Sequence, residues 1–167
     1  MSPRELVKKS FQFKPVDTTP YWFTFDPEVG IRMDQYYGSA SWREKVIPYI
    51  FGQHYGGYER ETDENGTYLD VFGTRIGTGK MQYVIQPALA GPSLKGYQWP
   101  EPAEIEDWDA VAKKYRNNEE SYRLCGLGYG LFERAWLMRG MEQFLIDLGD
   151  QPKFVNDLLE GITEFHL

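Results

Sequence analysis

The sequence predicts an α/β fold, and three stretches of the chain carry that prediction. Residues 122–149 begin as a short apolar run typical of a strand, pass through a glycine-spaced turn and continue as an amphipathic helical pattern. Residues 152–167 carry a second helical pattern, and residues 58–85 alternate β-rich runs with turn residues. A strand followed directly by a helix is the repeating unit of α/β folds, so we expect this unit to need neighbouring elements that cover it.

Composition and charge narrow the class of protein. The chain has 167 residues, of which 41% are apolar and 16% aromatic, enough for one globular domain. The formal net charge is −7 and no basic run interrupts it, which argues against nucleic acid as a partner. No run approaches the roughly 20 apolar residues of a membrane span, and residues 1–9 lack the apolar segment of a signal peptide. One cysteine excludes an internal disulfide, so we expect a cytoplasmic protein.

The N-terminal part is predicted to contain two helices and a strand. Ser2-Pro3-Arg4-Glu5 has the sequence of a capping box, with proline at the first helical position. Pro15 ends this helix, and residues 21–25 follow as a β-rich first strand. Asp26 is predicted to cap a second helix, which Gly38 closes.

The stretch 58–85 predicts a small antiparallel β-meander. Asn65-Gly66 is a strong hairpin signal. Residues 67–72 and 81–85 are predicted as strands, and residues 77–80 as the turn between them.

Apolar spacing predicts three further helices. The first is short and covers residues 41–51, followed by a loop at 52–57; the second covers 105–115, after an extended connection. The third covers 131–148 and stops at Gly149. Its predicted buried stripe is Leu131, Ala135, Met138, Met141, Leu145 and Leu148, widened by Leu137 and Phe144.

The helical pattern of residues 152–167 is still running at Leu167, and no capping residue follows it. We interpret the chain as the front part of a longer protein.

Asp70 is the leading candidate for a functional side chain, because it is a carboxylate within the apolar run 68–73. If it points into a pocket, desolvation raises its pKa or it requires a cationic or N–H partner. The alternative is an outward polar residue on a half-buried strand, or a cap for the turn at Gly73. The aromatic residues 21, 22, 23 and 25 also leave two interpretations open, a core or a flat apolar ligand site.

Other motifs give little support for known chemistries. The glycine spacing at 126–130 matches neither the dinucleotide nor the Walker phosphate loop, so we interpret these glycines as allowing strand and helix to approach closely. No G-x-S-x-G nucleophile motif occurs. His54, His166 and Cys125 are single and scattered, so no complete metal site is expected within this chain.

Five phrases in order along the chain resemble the uroporphyrinogen decarboxylase superfamily. They are residues 2–7, residues 17–22, Leu69-Asp70-Val71-Phe72-Gly73, residues 97–102, and residues 131–140 with Phe144-Leu145 and Asp150-Gln151-Pro152. The family fold is a (β/α)₈ barrel of about twice this length. The resemblance therefore implies that residues 1–167 form a single incomplete domain, the N-terminal half of a barrel with an N-terminal helix and an inserted meander.

The family contains two chemistries. One is cofactor-free decarboxylation of the acetate arms of a tetrapyrrole, and the other is methyl transfer between a methylated substrate, a corrinoid protein and a thiol or folate acceptor. The decarboxylases have two arginines where this chain has Phe25 and Val29, and a tyrosine where it has Trp136. Their essential aspartate falls at Asp70, which is kept. The chain therefore resembles the methyltransferase branch more closely.

The resemblance implies roles for four residues: Asp70 as the catalytic carboxylate, and Phe25, Tyr129 and Trp136 as substrate-binding residues. A relative that demethylates aryl ethers or amines would suit the aromatic-lined first strand. Zinc, where relatives use it, is held by histidine and cysteine in the second half of the barrel. We therefore expect this fragment to bind no cofactor and to be inactive alone.

The resemblance also implies the partners. The corrinoid would arrive on a separate protein that docks over the C-terminal face of the barrel. Because strands early in a barrel expect neighbours on both sides, the fragment should self-associate or pair with the missing half. Two alternatives stay open: cofactor-free decarboxylation of uroporphyrinogen, and a non-catalytic half-barrel that binds a ligand or partner.

Overall fold

The described residues form helices and two small β-sheets, which confirms the mixed helix and sheet class. The structure is a computed structural model that describes residues 1–21, 23, 25–46, 49–54, 62–77, 82–126 and 128–167. In chain order the elements are α1 (Pro3–Phe11), α2 (Pro27–Tyr37), α3 (Trp42–Lys45), β1 (Ile50–His54), β2 (Thr67–Leu69), β3 (Arg75–Gly77), β4 (Tyr83–Gln86), α4 (Pro102–Ile105), α5 (Trp108–Arg116), β5 (Tyr122–Cys125), α6 (Leu131–Arg139), α7 (Met141–Asp150) and α8 (Pro152–His166).

The chain divides into two compact units. The first contains residues 1–53 and 109–125, and the second contains residues 54–108 and 126–167. Within the described ranges, no helix is both long enough and apolar enough to cross a membrane.

In the first unit, α1 begins at the predicted capping box. The Ser2 hydroxyl accepts from the Glu5 N–H at 3.2 Å, and the Glu5 carboxylate accepts from the Ser2 N–H at 3.0 Å. Asp26 caps α2, and Gly38 closes it with φ +67°. The strand predicted at the start of residues 122–127 is β5, which pairs with β1 in a two-stranded sheet.

Two predictions for the first unit were wrong. The helix predicted over 41–51 is reduced to Trp42–Lys45, and Ile50–His54 is a strand where a helix end and a loop were expected. Pro48 explains the early end, because proline removes a helical N–H and restricts the residue before it. In the predicted first strand, Tyr21, Phe23 and Phe25 lie outside any strand, while Trp22 and Thr24 are not among the described residues.

The second unit contains the predicted meander, an antiparallel sheet in the order β2-β3-β4. Tyr68 pairs with Ile76, and both are buried against Leu137 of α6. The strand predicted at 67–72 ends early, because residues 70–73 form a turn in which Gly73 has φ +85°. Of the predicted turn at 77–80, Gly77 ends β3 and the other residues are outside the described part of the chain.

The predicted long helix over 131–148 is two helices that meet at Gly140. This residue has φ +86° and ψ 137°, which is not helical. The break shifts the helical phase: Met141, Leu145 and Leu148 of the predicted stripe are 41–51% exposed. Phe144, expected at the margin of the stripe, is buried with 1% exposure. The predicted stop at Gly149 was also wrong, since α7 continues to Asp150.

The main core of the second unit lies between α6, α7, α8 and the turn after β2. Its buried members are Phe72, Leu89, Ala135, Met138, Phe144, Phe154, Val155, Leu158 and Ile162. The corner between α6 and α7 is fixed by a buried ion pair in which Arg139 Nε donates to Asp147 Oδ2 at 2.7 Å. The Leu89 N–H donates to the carbonyl of Met138 at 2.8 Å and ties the connection after β4 to the same corner.

The conformation of Gly140 gives a first testable prediction. Gly140→Ala should lower the free energy of unfolding by about 1–3 kcal/mol, because a side chain strains backbone at this φ. Urea unfolding followed by tryptophan fluorescence measures the change. Gly149→Ala is the matched control: Gly149 lies within α7, so alanine should raise the free energy by about 0.5 kcal/mol. Equal effects of the two substitutions would contradict this account of the corner.

Candidate functional site

Asp70 lies in the turn that joins β2 to β3, and its side chain is buried. The residue is 2% exposed. Its Oδ1 accepts from the Thr74 N–H at 2.8 Å, and the Asp70 N–H donates to the Thr74 carbonyl at 2.9 Å. The carboxylate therefore caps its own turn, and this turn orients it away from solvent.

Arg134 of α6 is the cationic partner of Asp70. Its Nη1 donates to Asp70 Oδ2 at 2.6 Å, and the two side chains are 1% and 3% exposed. The residues are 64 positions apart in sequence, so this pair joins the meander to α6 inside the second unit. We had not singled out Arg134 from the sequence. A signal was available, because a charged residue directly before Ala135 and four before Met138 lies beside the buried face of a helix.

Aromatic rings enclose the guanidinium. Its carbon lies 4.0 Å from the ring centroid of Phe72 and 5.3 Å from that of Tyr129. Such contacts favour a desolvated cation. The Tyr97 hydroxyl donates to the Phe72 carbonyl at 2.9 Å, which fixes the turn from the side of the connection after β4. The pair is thus held between the meander, this connection and α6.

Burial and nearby charges shift the pKa values of three groups in and around the cluster. Burial raises the pKa of Asp70, and the Thr74 N–H and the Arg134 charge oppose that rise. The pKa of Tyr97 is raised, first by burial and then by the negative charge of Asp70, so its hydroxyl remains a hydrogen-bond donor. The pKa of His166 is lowered by burial and by Arg134, against a hydrogen bond to the Tyr129 backbone.

The structure brings together Asp70 and Tyr129 of the four predicted site residues. Tyr129 covers one face of Arg134, and its hydroxyl donates to Gln82 Oε1 at 2.6 Å. Trp136 is partly buried and packs against both apolar clusters of the second unit. Phe25 belongs to the first unit, where its ring lies edge-on to Trp42 with centroids 5.1 Å apart. A shared role of Phe25 with Asp70 stays a prediction.

A cavity away from Asp70 could hold a small group. A cavity of about 380 Å³ in the second unit is lined by Pro92, Ser93, Leu94, Lys95, Gln151, Lys153, Phe154 and Asp157, and does not include Asp70. Among the described residues, no three His, Cys, Asp or Glu side chains are grouped so that they could hold a metal ion.

Comparisons with protein-family models, with curated proteins and with solved structures find no match to this chain.

The buried pair predicts that removing the Asp70 charge has a large effect on stability. Asp70→Asn keeps an acceptor for Thr74 but leaves the Arg134 charge buried alone. It should lower the free energy of unfolding by about 3–5 kcal/mol. Adding Arg134→Met should recover most of that loss, because the uncompensated charge is then gone. Chemical denaturation of the two single variants and the double variant measures this coupling.

The matched control is an ion pair in solvent. Lys153 and Asp157 pair at 2.7 Å with side chains 88% and 46% exposed. Asp157→Asn should change the free energy of unfolding little, because water screens exposed pairs. Additive effects at Asp70 and Arg134, or a loss at Asp157 as large as that at Asp70, would contradict the assignment.

His166 predicts a pH dependence of stability. Its pKa in the folded chain is lowered below the ordinary value of about 6.5, so the unfolded chain binds the proton first. The contribution of neutral His166 is complete above that pH and is lost as the pH falls below it, at up to about 1.4 kcal/mol per pH unit. Comparing the free energy of unfolding of wild type and His166→Gln between pH 8 and pH 5 isolates this effect. Parallel curves for the two proteins would disprove it.

Proposed function

We propose that this chain is the N-terminal part of a methyltransferase that resembles the corrinoid-linked branch of the uroporphyrinogen decarboxylase superfamily. The enzyme would move a methyl group between a methylated small molecule and a corrinoid protein, or a thiol or folate acceptor. Residues 1–167 would be part of a (β/α)₈ barrel, and the mixed helix and sheet fold is compatible with that origin.

One observation supports the proposal above the others. Three of the phrases that carry the resemblance are far apart in sequence and meet at one buried cluster. Residues 69–73 contribute Asp70, residues 131–140 contribute Arg134, and residues 97–102 contribute Tyr97. Phrases that a family shares because of its chemistry are expected to meet in this way at a site.

The energetics of the pair also favour a role beyond stability. A buried ion pair stabilises a fold no better than apolar residues of similar volume, because both charges lose their hydration. The core around the pair contains Phe72, Leu137 and Met138, so apolar side chains could also fill this position. Our proposal is that Asp70 and Arg134 are retained for a charge that the reaction uses.

The residues of this chain would act by fixing the positions of other groups. Asp70 fixes the Arg134 guanidinium between two ring faces, and Tyr97 fixes the turn that carries Asp70. In the proposed enzyme this cluster orients the group that supplies a proton to the departing leaving group. The corrinoid, carried by a partner protein, would supply the nucleophile that accepts the methyl group.

Decarboxylation of uroporphyrinogen fits less well. A substrate with many carboxylates needs cations that bind it in pairs of hydrogen bonds. At the two arginine positions of the decarboxylases, this chain places Phe25 and Val29, which are 40% and 42% exposed. The two positions at which the decarboxylases have arginine are therefore occupied in this chain by partly exposed apolar side chains.

The test is methyl transfer by the full-length protein that contains this sequence. Cob(I)alamin serves as acceptor, with a methoxybenzene, a methylamine and methanol as donors, and its loss of absorbance reports turnover. Asp70→Asn should lower kcat about 100-fold with little change in KM, the scale of one positioned acid or base.

A matched control separates function from folding. Asp147→Asn breaks another buried ion pair among the described residues of the second unit, with side chains 7% and 6% exposed. Turnover per folded molecule should remain near wild type in this variant. Equal losses in both variants would reduce Asp70 to a structural role. Coproporphyrinogen formation without methyl transfer would favour the decarboxylase, and no turnover with any substrate would favour a binding module.

A further inference from the structure

An apolar stripe on α7 remains exposed in the folded chain. Met141, Leu145 and Leu148 follow one another at steps of four and three, so they lie on one side of this helix. The sequence predicted that these side chains are buried, but they are 41%, 51% and 47% exposed. The spacing of a helix face that packs against a neighbour is therefore present, and the described part of the chain leaves this face open.

The apolar surface continues from α7 to α6 through an aromatic contact. The ring centroids of Phe132 and Phe144 are 5.8 Å apart, and Phe144 is the buried residue one position before Leu145. Phe132 itself is 49% exposed. We call the exposed residues Phe132, Met141, Leu145 and Leu148 the α7 face. Single exposed apolar side chains are common, but a group of them on one side of two packed helices marks an interaction surface.

The exposed charges on these two helices are all negative. Residues 131–150 contain six ionisable side chains, and all of them are described. Three are buried in ion pairs, namely Arg134, Arg139 and Asp147. The other three are exposed carboxylates, namely Glu133, Glu142 and Asp150. A group that packs on the α7 face therefore meets carboxylates and no exposed cation from α6 or α7.

The C-terminal end of α7 also favours a positive partner. A helix C-terminus carries a partial negative charge, which basic side chains in the last turn offset. The last turn of α7 contains no basic residue, and the helix ends at Asp150, whose carboxylate adds to the negative charge. A cation supplied from outside the helix would therefore stabilise this end.

We propose that the α7 face docks an amphipathic helix of another polypeptide, in which Lys and Arg flank an apolar stripe. Apolar side chains of the partner, spaced three and four residues apart, pack between Met141, Leu145 and Leu148. The flanking cations pair with Glu142 and Asp150, which orients the helix on the face. This interaction goes beyond the proposed methyl transfer and does not depend on it.

A second copy of this chain fits the α7 face less well. When two α7 helices pair in antiparallel orientation about a twofold axis, Glu142 of one copy comes beside Asp150 of the other. When they pair in parallel, each of these carboxylates comes beside its own equivalent. Both arrangements bring like charges together, which opposes association.

The test is binding of a synthetic helical peptide to the purified chain, measured by calorimetric titration. The peptide has leucines at spacings of three and four and lysines at all other positions. Leu145→Gln should weaken binding about tenfold, because it removes an apolar contact from the middle of the docked helix. Ile85→Gln is the matched control, since Ile85 is 46% exposed and lies on β4 of the same unit. Both side chains are about half exposed, so the fold should be unaffected.

A pair of charge reversals separates local contacts from general attraction between lysines and a chain of net charge −7. Glu142→Lys and Glu104→Lys change the net charge equally, and both carboxylates are exposed. Glu142 lies one helical turn before Leu145, whereas Glu104 belongs to α4. Glu142→Lys should therefore weaken binding about fivefold more than Glu104→Lys does.

The outcomes separate this surface from the reaction. Weaker binding in Leu145→Gln and Glu142→Lys than in their controls supports the assignment, whether or not the full-length protein transfers methyl groups. No binding of the lysine peptide, equal losses in variants and controls, or equally tight binding of a peptide with glutamate in place of lysine overturns it. A dimer that Leu145→Gln dissociates, or attachment to phosphatidylcholine vesicles that Leu145→Gln abolishes, overturns it as well if the peptide does not bind.

Discussion

The second unit depends on one buried ion pair between Asp70 and Arg134. Asp70 must turn inward to meet Arg134, and the turn at residues 70–73 achieves this because Gly73 adopts a positive φ that other residues rarely tolerate. Phe72 then lies in the core and covers one face of the guanidinium. One short turn therefore sets the position of a charge, a ring and the end of a strand.

The charge of Arg134 extends its influence to other groups in the unit. It opposes the effect of burial on the pKa of Asp70 and adds to the effect of burial on the pKa of His166. A second buried pair, Arg139 with Asp147, fixes the corner that allows α6 and α7 to pack on α8. In both pairs the arginine belongs to α6, so this helix carries both of these buried positive charges.

Local signals in the sequence predicted elements that local physics determines. The Ser2 capping box, the Asp26 cap, the meander and the helix over residues 152–167 depend on neighbours within a few positions, and the structure confirms them. The sequence does not reveal the break at Gly140, because the apolar residues around a glycine have the same spacing whether or not that glycine is helical. Arg134 was missed because its partner is 64 residues away, and no periodic pattern relates the two.

The central claim is that the Asp70–Arg134 pair has a role in function beyond positioning the turn, because apolar side chains that replace both partners together could stabilise the fold as well. Turnover and stability of the Asp70→Asn, Arg134→Met double variant test this claim most directly, because the variant removes both charges while retaining the turn cap on Thr74. Our account predicts a free energy of unfolding within about 1–2 kcal/mol of wild type and methyl transfer reduced about 100-fold or more. A double variant that is folded and transfers methyl groups at the wild-type rate would contradict it.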